Sequence, residues 1–261
     1  GNRNVNEITD RENYLKEQST EIEDTCSTFS GTLPAFSLAD VAFAVKERDI
    51  LNGVTFDILK GSRTVLLGEN GCGKTTLLRL ISRLEKPTRG VILQNIDDKF
   101  GQKSKQSKKW YKKVGVVYQN PDYQLFMQTV EKEIKFGAKS DEYADEIAEK
   151  FGIKHLYARH PQSLSEGQKR RVSIAAVVAT DPEVLILDEP TVGQDYKGLC
   201  EMVEVLNKLH EEAHNTMITV THDKRCAAAL CDKSVWIKNG KTYKTGGKEL
   251  VDEFFIQIGV N

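Results

Sequence analysis

Residues 68–75 read Gly-Glu-Asn-Gly-Cys-Gly-Lys-Thr and match the pattern GxxxxGK[ST]. A short apolar strand pattern, Arg63–Leu67, precedes them, and a helical pattern begins at Lys74. In that context the glycines let backbone N–H groups turn inward around phosphate oxygens, and the helix N-terminus adds a favourable dipole. The predicted phosphate-binding residues are Gly68, Asn70, Gly71, Gly73, Lys74, Thr75 and Thr76. The pattern indicates a nucleoside triphosphate site, in which Lys74 reaches the β- and γ-phosphates and Thr75 binds Mg²⁺.

A second motif, EVLILDEP at residues 183–190, is an apolar run that ends in two carboxylates. A buried strand that carries Asp188 at its C-terminal tip puts this side chain where it supports Mg²⁺. Glu189, one residue further on, is placed to polarise an attacking water. Taken alone, the motif also fits an acidic strand end near a helix N-terminus. Beside the first motif, it indicates a P-loop NTPase.

Strand patterns alternate with helical patterns along most of the chain, which implies a largely parallel sheet. A helical stretch at about 120–164 interrupts the alternation and predicts an inserted subdomain. The helix that begins at Lys74 is expected to carry Leu77, Leu78, Ile81 and Leu84 on one face. The predicted fold class is α/β, of the P-loop NTPase (RecA-like) type. It has a mostly parallel sheet, an antiparallel β subdomain and an inserted α-helical subdomain.

Composition limits the classes of protein that remain. Residues 1–33 are polar and acidic and read as a tail or interdomain linker before a folded domain at 34–261. The net charge of −1 gives no basic field to gather nucleic acid, so no nucleic-acid partner is expected. Apolar stretches such as Val172–Ala179 are far shorter than the roughly 20 residues that cross a bilayer. Scattered cysteines without a CxxC pair predict free thiols in a reducing compartment.

Further segments are similar to motifs of the ABC (ATP-binding cassette) ATPase family. Residues 164–168 (LSEGQ) resemble the signature LSGGQ, and residues 190–195 (PTVGQD) resemble the D-loop. Gln119 resembles the Q-loop glutamine, and His222 resembles the switch histidine. The motifs stand in the family's order, and the resemblance covers about residues 36–245.

The resemblance implies an ATP-hydrolysing chain that works as one half of a dimer with ATP at the interface. It assigns catalysis to Glu189, His222 and Gln119, and Mg²⁺ binding to Thr75, Gln119 and Asp188. Ser165 and Gln168 also form an S-x-x-Q capping box, which predicts a helix N-terminus that offers N–H groups to an anion. In the family that anion is the γ-phosphate held by the other subunit, so Ser165, Gly167 and Gln168 are expected to bind the partner's nucleotide.

Two positions depart from the family pattern. Glu166 replaces the first signature glycine, and its negative charge is tolerable near phosphate only if the side chain points away. Val45 takes the place of the aromatic residue that the family stacks on adenine. Val45 is therefore expected to give the base apolar contact without stacking, and base selectivity is expected to be loose.

Residues 118–126 (YQNPDYQLF) and 129–137 (TVEKEIKFG) are similar to segments of energy-coupling-factor and cobalt-type importer ATPases. This resemblance implies a peripheral subunit on the cytoplasmic face of the membrane, with a second ATPase subunit and transmembrane T-type and substrate-binding S-type partners. Vitamins or metal ions are the expected cargo, and Asp122 is expected to meet arginines of the T subunit. Simple packing within the helical subdomain is the alternative for this segment. A soluble ABC ATPase acting on ribosomes or DNA is the alternative function.

Three features remain outside this scheme. The lysine-rich segment with Trp110 and Tyr111 interleaved is interpreted as a solvated loop, with single-strand binding as the alternative. Its lysines are Lys103, Lys105, Lys108, Lys109, Lys112 and Lys113. Cys72 lies inside the phosphate loop, where the helix N-terminus is expected to lower the pKa of its thiol. The acidic start of the chain also raises the hypothesis that this is one cassette of a tandem protein.

Overall fold

The computed structural model describes residues 34–46, 48–96 and 110–259. The strands in this part of the chain are β1 (Pro34–Val45), β2 (Arg48–Leu59), β3 (Arg63–Leu67), β4 (Arg89–Gln94), β5 (Val114–Val117), β6 (Val184–Asp188), β7 (Thr216–Val220), β8 (Lys233–Lys238) and β9 (Lys241–Gly246). The helices are α1 (Lys74–Ile81), α2 (Trp110–Lys113), α3 (Val130–Lys135), α4 (Asp141–Lys150), α5 (Glu166–Val178), α6 (Tyr196–Ala213), α7 (Lys224–Ala229) and α8 (Lys248–Gln257). Short 3₁₀ turns lie at Pro121–Tyr123, Lys154–Leu156 and Pro161–Ser163.

The larger sheet has the strand order β5-β6-β7-β3-β8-β9. Its pairings are parallel except for the last, in which β8 and β9 form an antiparallel hairpin. Every residue of β6 and β7 is buried, as expected for strands covered on both faces. The α/β class with a mostly parallel sheet is confirmed.

The order of these strands positions the site. The neighbours β5, β6, β7 and β3 run parallel, so their carboxyl ends meet at one edge of the sheet. The phosphate loop follows β3, Asp188 ends β6, His222 comes shortly after β7, and Gln119 comes shortly after β5. The crevice outside these carboxyl ends is where open α/β sheets bind ligands.

A smaller antiparallel sheet, with the order β2-β1-β4, covers one side of helix α1. Leu51 and Val54 of β2 pack in one buried cluster with Leu77 and Ile81 of α1 and with Ile186 of β6. The antiparallel β region is thus packed onto the helix that follows the phosphate loop.

Helices α3 and α4 come between β5 and α5 in the chain and pack against α5. The three helices share a second buried cluster, which includes Ile134, Ile147 and Val172. Ser140 caps α4 through its hydroxyl, which accepts from the Tyr143 N–H at 3.1 Å. Gly152 follows the end of α4 with a φ of 65°. The boundaries of the helical insert, about 120–164, remain a prediction.

Some details differ from the sequence-based expectations. Helix α1 ends at Ile81, so Leu84 lies beyond it and its side chain is 47% exposed. Arg83 adopts a φ of 59°, a left-handed conformation that ends the turn before Leu84. Residues 1–33 and the lysines at 103–109 lie outside the described residues. No helix in the described ranges is long and apolar enough to cross a membrane.

Candidate active site

The phosphate loop, residues 68–73, joins β3 to α1 and needs glycine at both ends. Gly68 has a φ of 155°, and a Cβ there would lie 2.5 Å from the carbonyl oxygen of Ile237. Gly73 has a φ of 105°, and a Cβ there would lie 2.5 Å from Cδ2 of Leu51. Gly73 is also the N-cap of α1 and has no side chain to occupy the first N–H groups of the helix. These groups are therefore available to an anion.

Lys74 places a buried ammonium inside this loop. Its Nζ donates to the carbonyl oxygens of Gly68 at 2.6 Å and Glu69 at 3.0 Å. The loop's own carbonyls thus fix the cation at the phosphate loop. A charge held in this way fits the recognition of a polyphosphate.

Thr75 and Asp188 come from the two motifs and meet at the head of the site. The Thr75 hydroxyl donates to Oδ2 of Asp188 at 3.4 Å. Asp188 is buried, and burial raises the pKa of its carboxyl. A hydroxyl and a carboxylate side by side provide the oxygen ligands that Mg²⁺ prefers. These two residues therefore fit the metal that the sequence predicted.

Glu189 follows Asp188 in a left-handed backbone conformation with a φ of 56°. Its N–H donates to the Val220 carbonyl oxygen at 2.8 Å, and its Oε2 accepts from the His222 N–H at 3.2 Å. Its Oε1 is buried without a hydrogen-bond partner among the described residues. Burial raises the pKa of the Glu189 carboxyl to about 6. A fixed carboxylate with one unused oxygen is suited to polarise a water.

His222 stands beside that unused oxygen, with Nε2 3.6 Å from Oε1 of Glu189. Burial lowers the pKa of His222, and the nearby Lys74 lowers it further. The imidazole is therefore neutral near neutral pH and keeps one donor and one acceptor nitrogen. The structure brings together five residues from the start of α1 and from the carboxyl ends of β6 and β7, namely Lys74, Thr75, Asp188, Glu189 and His222.

Gln119 is the second residue after β5, which ends at Val117, and its side chain is exposed. The turn that carries it is held by Gln124, whose Oε1 accepts from the Tyr118 N–H at 3.0 Å. The Nε2 of Gln124 donates to the Val116 carbonyl oxygen at 2.7 Å. Arg170 binds the same turn and is buried. Sequence reasoning missed both residues, although Gln124 lies inside the QNPDYQLF segment.

The signature segment opens α5 through the predicted capping box, which is confirmed. The Ser165 hydroxyl accepts from the Gln168 N–H at 3.3 Å, and Oε1 of Gln168 accepts from the Ser165 N–H at 3.1 Å. Ser165 is exposed. The carboxylate of Glu166 lies 3.4 Å from Nζ of Lys169, so its charge is paired along its own helix.

The D-loop contacts the signature segment of the same chain. Nε2 of Gln194 donates to the carbonyl oxygen of Gly167 at 2.8 Å. A Cβ on Gly167 would lie 2.9 Å from the Gly193 carbonyl oxygen, so this position has no room for a side chain. The two segments therefore pack as one surface.

A cleft of about 500 Å³ lies beside the phosphate loop. It is lined by the start of β2, by residues 69–72 and by the β8–β9 hairpin, and among the described residues the signature segment does not contribute to it. Val45 is half exposed and is not among the lining residues. Neither Val45 nor Ser165 is therefore among the residues that line this cleft.

The prediction of a lowered pKa for the Cys72 thiol is wrong. Burial raises the pKa of the Cys72 thiol and outweighs the lowering effect of Lys74. The sulfur packs over Gly68, where a Cβ would approach it to 2.5 Å. Asp122, for which contact with arginines of a T-type partner stays a prediction, has a cation within the chain. Its Oδ1 accepts from Nζ of Lys169 at 2.9 Å.

A family model described as "ABC transporter" matches residues 51–192. That range holds the phosphate loop, the signature segment and the Asp188–Glu189 pair. The chain belongs to the ABC transporter family. It is an ABC-type ATPase.

Curated relatives carry the name energy-coupling factor transporter ATP-binding protein EcfA2. The protein of Enterococcus faecalis is 40% identical over 221 residues, which cover 78% of this chain and 74% of that protein. The protein of Bacillus subtilis is 40% identical over 210 residues, which cover 77% of this chain and 76% of that protein.

Solved structures agree with this assignment. The cbiO1 protein of Clostridium perfringens, described as part of the ABC transporter complex cbiONQ, gives a TM-score of 0.73 at 32% identity. That match covers 84% of this chain and 91% of cbiO1. The ATP-binding cassette MJ0796, solved as a dimer bound to ADP and Pi, gives a TM-score of 0.71 at 26% identity. That match covers 82% of this chain and 98% of MJ0796.

Proposed function

We propose that the chain is the ATP-hydrolysing subunit of an energy-coupling-factor type importer. It pairs with a second ATPase subunit around Mg²⁺-ATP and drives uptake through T-type and S-type membrane partners from the cytoplasmic face of the membrane. The observation that carries the hydrolytic part is the contact of the Thr75 hydroxyl with the Asp188 carboxylate at 3.4 Å, with Glu189 directly after Asp188 in the chain. The names of the relatives support the transport part.

Each residue of this constellation has a distinct task. The loop amides and Lys74 bind the triphosphate, and Thr75 and Asp188 hold Mg²⁺, which neutralises phosphate charge when bound. Glu189 polarises the attacking water through its unpartnered Oε1. His222 lies within 3.6 Å of that oxygen and orients the same reacting groups. The predicted metal contact of Gln119 completes the site.

The second half of the site comes from the other subunit. Ser165 is exposed at the start of α5, and the cleft beside the phosphate loop receives no lining residue from the signature segment among the described residues. The helix N-terminus is therefore free to face a phosphate held elsewhere. The pairing of Glu166 with Lys169 offsets the charge that this chain places there.

A group of exposed aromatic side chains supports the proposal that the chain binds membrane partners. Tyr123, Phe126 and Phe136, here called the aromatic patch, follow the Gln119 turn and are 80%, 67% and 58% exposed. The rings of Phe126 and Phe136 stack edge to face at 5.4 Å. Glu133 fixes the segment, since its Oε2 accepts from the N–H groups of Phe126 at 2.9 Å and Met127 at 2.7 Å. A fixed, exposed apolar patch fits the amphipathic coupling helices of a T-type protein.

Hydrolysis is tested with two variants of the chain. Lys74→Ala is expected to lose ATP binding, because the loop then lacks its cation. Glu189→Gln is expected to bind ATP but hydrolyse it about 10²- to 10⁴-fold more slowly, the usual contribution of a general base. Phosphate release and size-exclusion chromatography with ATP measure both effects, and Glu189→Gln is expected to accumulate as an ATP-bound dimer. Hydrolysis at the wild-type rate by Glu189→Gln would refute its role.

Transport coupling is tested by purification from membranes. The wild-type chain is expected to co-purify with a hydrophobic T-type protein, and the pair Phe126→Ser and Phe136→Ser is expected to release it. Tyr243→Ser is the matched control, because Tyr243 is a half-exposed aromatic on β9, away from the aromatic patch. Co-purification with ribosomes or DNA instead would favour the soluble ABC ATPase. The S-type partner that co-purifies identifies vitamin or metal-ion cargo.

A further inference from the structure

Arg170 is among the largest fully buried side chains of the described residues, with 1% of its surface exposed. Its Nη1 donates to the carbonyl oxygen of Tyr118 at 2.7 Å, and its Nη2 donates to the carbonyl oxygen of Gln119. The third nitrogen, Nε, is buried and has no hydrogen-bond partner in the described part of the chain. The contacts of this guanidinium are therefore directed at the backbone of the Gln119 turn.

This arrangement costs the fold free energy. A buried cation normally has a carboxylate in contact, but Arg170 is held by two peptide carbonyls. Burial lowers the pKa of its guanidinium, while the more distant charges of Asp188 and Glu189 raise it. Arg170 thus binds the Gln119 turn and also lies within electrostatic reach of Asp188, the last residue of β6, and of Glu189. An apolar side chain of the same length would pack there without the cost of desolvation.

The two neighbours of Arg170 on α5 bind other segments of the site. Lys169 donates to Asp122, three residues after Gln119, at 2.9 Å. Arg171 donates to Oε1 of Gln194 in the D-loop at 3.4 Å. Three consecutive side chains of the signature helix therefore hold the Gln119 turn on one side and the D-loop on the other.

We propose that Arg170 is a positioning residue for Gln119. Its forked guanidinium fixes the backbone that carries Gln119 relative to α5, so the side-chain amide reaches the metal at Thr75 and Asp188. Ser165 caps the N-terminus of α5, the helix that carries Arg170. A phosphate bound by the signature segment therefore also changes the position or the mobility of the Gln119 turn, through the Arg170 side chain. This inference rests on the proposed function, in which Gln119 contacts Mg²⁺.

The geometry makes the expected effect specific to the metal. Lys74 and the loop amides bind phosphate without Arg170, so affinity for nucleotide in the absence of Mg²⁺ stays at the wild-type level. Loss of a group that orients a metal ligand typically lowers metal affinity about 10- to 100-fold. The ratio of nucleotide affinities with and without Mg²⁺, here called the metal ratio, is therefore expected to fall by that factor.

The experiment titrates the full chain with a non-hydrolysable ATP analogue in Mg²⁺ and in EDTA. Arg170→Met is expected to lower the metal ratio about 10- to 100-fold while binding in EDTA is unchanged. Arg63→Met is the matched control, since the Arg63 guanidinium also makes several hydrogen bonds, to Asp232 and Asn207, at the opposite end of β3. It is expected to keep the wild-type metal ratio. If Arg170→Met fails to fold, Arg170→Lys carries the test, because lysine lacks the planar pair of Nη donors with which Arg170 reaches both carbonyls.

A double-mutant cycle separates positioning from general destabilisation. Gln119→Ala alone is expected to lower the metal ratio, and adding Arg170→Met to it is expected to change the ratio by less than about twofold, because both act through one side chain. Additive losses would overturn the proposal, as would a wild-type metal ratio in folded Arg170→Met. Failure of the proposed function looks different, because the wild-type chain itself would then show no binding that depends on Mg²⁺.

Discussion

Glu189 combines three features that oppose stability at a single residue. Its φ of 56° is costly for a side chain with a Cβ, its carboxyl is buried, and one oxygen has no hydrogen-bond partner among the described residues. The backbone hydrogen bonds to Val220 and from His222 keep it in place. Strain and desolvation of this kind collect at residues that function selects over stability.

Glu189→Gln is expected to stabilise the chain at neutral pH. The folded-state pKa of about 6 exceeds the ordinary value of 4.5, so ionisation of Glu189 opposes folding. The penalty is absent below the ordinary pKa, grows between the two values and is fully present above the folded pKa. The difference amounts to about 2 kcal/mol near pH 7.5. Urea unfolding in EDTA at about pH 7.5 and pH 4.5 measures it, and equal stability of both proteins at the higher pH would contradict the argument.

Gly68→Ala and Gly71→Ala form a matched pair in the phosphate loop. Both residues have a positive φ, but a Cβ at Gly68 meets the Ile237 carbonyl oxygen, whereas a Cβ at Gly71 meets nothing within 4 Å. Gly71→Ala is expected to cost about 1–2 kcal/mol of backbone strain, and Gly68→Ala about 1–3 kcal/mol more from the clash. Denaturant unfolding without nucleotide gives both values. Equal losses of unfolding free energy in the two variants would show that the close approach of Gly68 to the Ile237 carbonyl of β8 does not affect stability.

The residues expected to carry the chemistry were predicted from the sequence, but the residues that hold them in position, such as Gln124 and Arg170, were not. Lys74, Thr75, Asp188, Glu189 and His222 were all expected at the site, and the structure places them together. Cys72 was assigned the wrong pKa shift because helix position suggests a lowered value, whereas burial, which a sequence does not report, dominates.

Helix α5 shows how one element serves two purposes. Its capping box satisfies N–H groups at its start, and its next turn carries the side chains that hold the Gln119 turn and the D-loop. The S-x-x-Q spacing is a local signal, so it was visible in the sequence. The run Lys169-Arg170-Arg171 was not informative, because consecutive cations on a helix usually face solvent.

Ser165→Ala and Ser140→Ala compare two helix caps of the same type. Each hydroxyl accepts one backbone N–H, at 3.3 Å in α5 and 3.1 Å in α4. Both changes are expected to cost about 1 kcal/mol of stability. Only Ser165→Ala is expected to reduce ATP hydrolysis, because in the proposed dimer α5, unlike α4, faces the partner's nucleotide. Parallel unfolding and phosphate-release assays compare them, and equal activity of the two variants would remove Ser165 from the site.

On the scale of the whole molecule, the order of strands assembles the site. The segments that carry Gln119, Asp188, His222 and Lys74 are far apart in the chain, and they become neighbours because β5, β6, β7 and β3 lie side by side in parallel. Hydrophobic clusters on both faces hold these strands. We therefore expect ligand binding at this edge to stabilise the fold as a unit.

A non-hydrolysable ATP analogue with Mg²⁺ is expected to raise the unfolding temperature of the wild-type chain. At about 100 times the dissociation constant the stabilisation is about 2.7 kcal/mol, since the unfolded chain has no site. Lys74→Ala is expected to show no shift at the same concentration. Thermal unfolding monitored by circular dichroism measures both, and an equal shift in the variant would place the nucleotide elsewhere.

The sequence by itself determined the α/β class, the phosphate loop, the Asp188–Glu189 pair at the end of a buried strand and the capping box, because each depends on the order and spacing of neighbouring residues. The tertiary structure alone decided the strand order, the raised pKa of Cys72, the pairing of Asp122 with Lys169 and the burial of Arg170. These properties depend on distances between segments far apart in the chain and on exclusion of water, and local residue patterns contain neither.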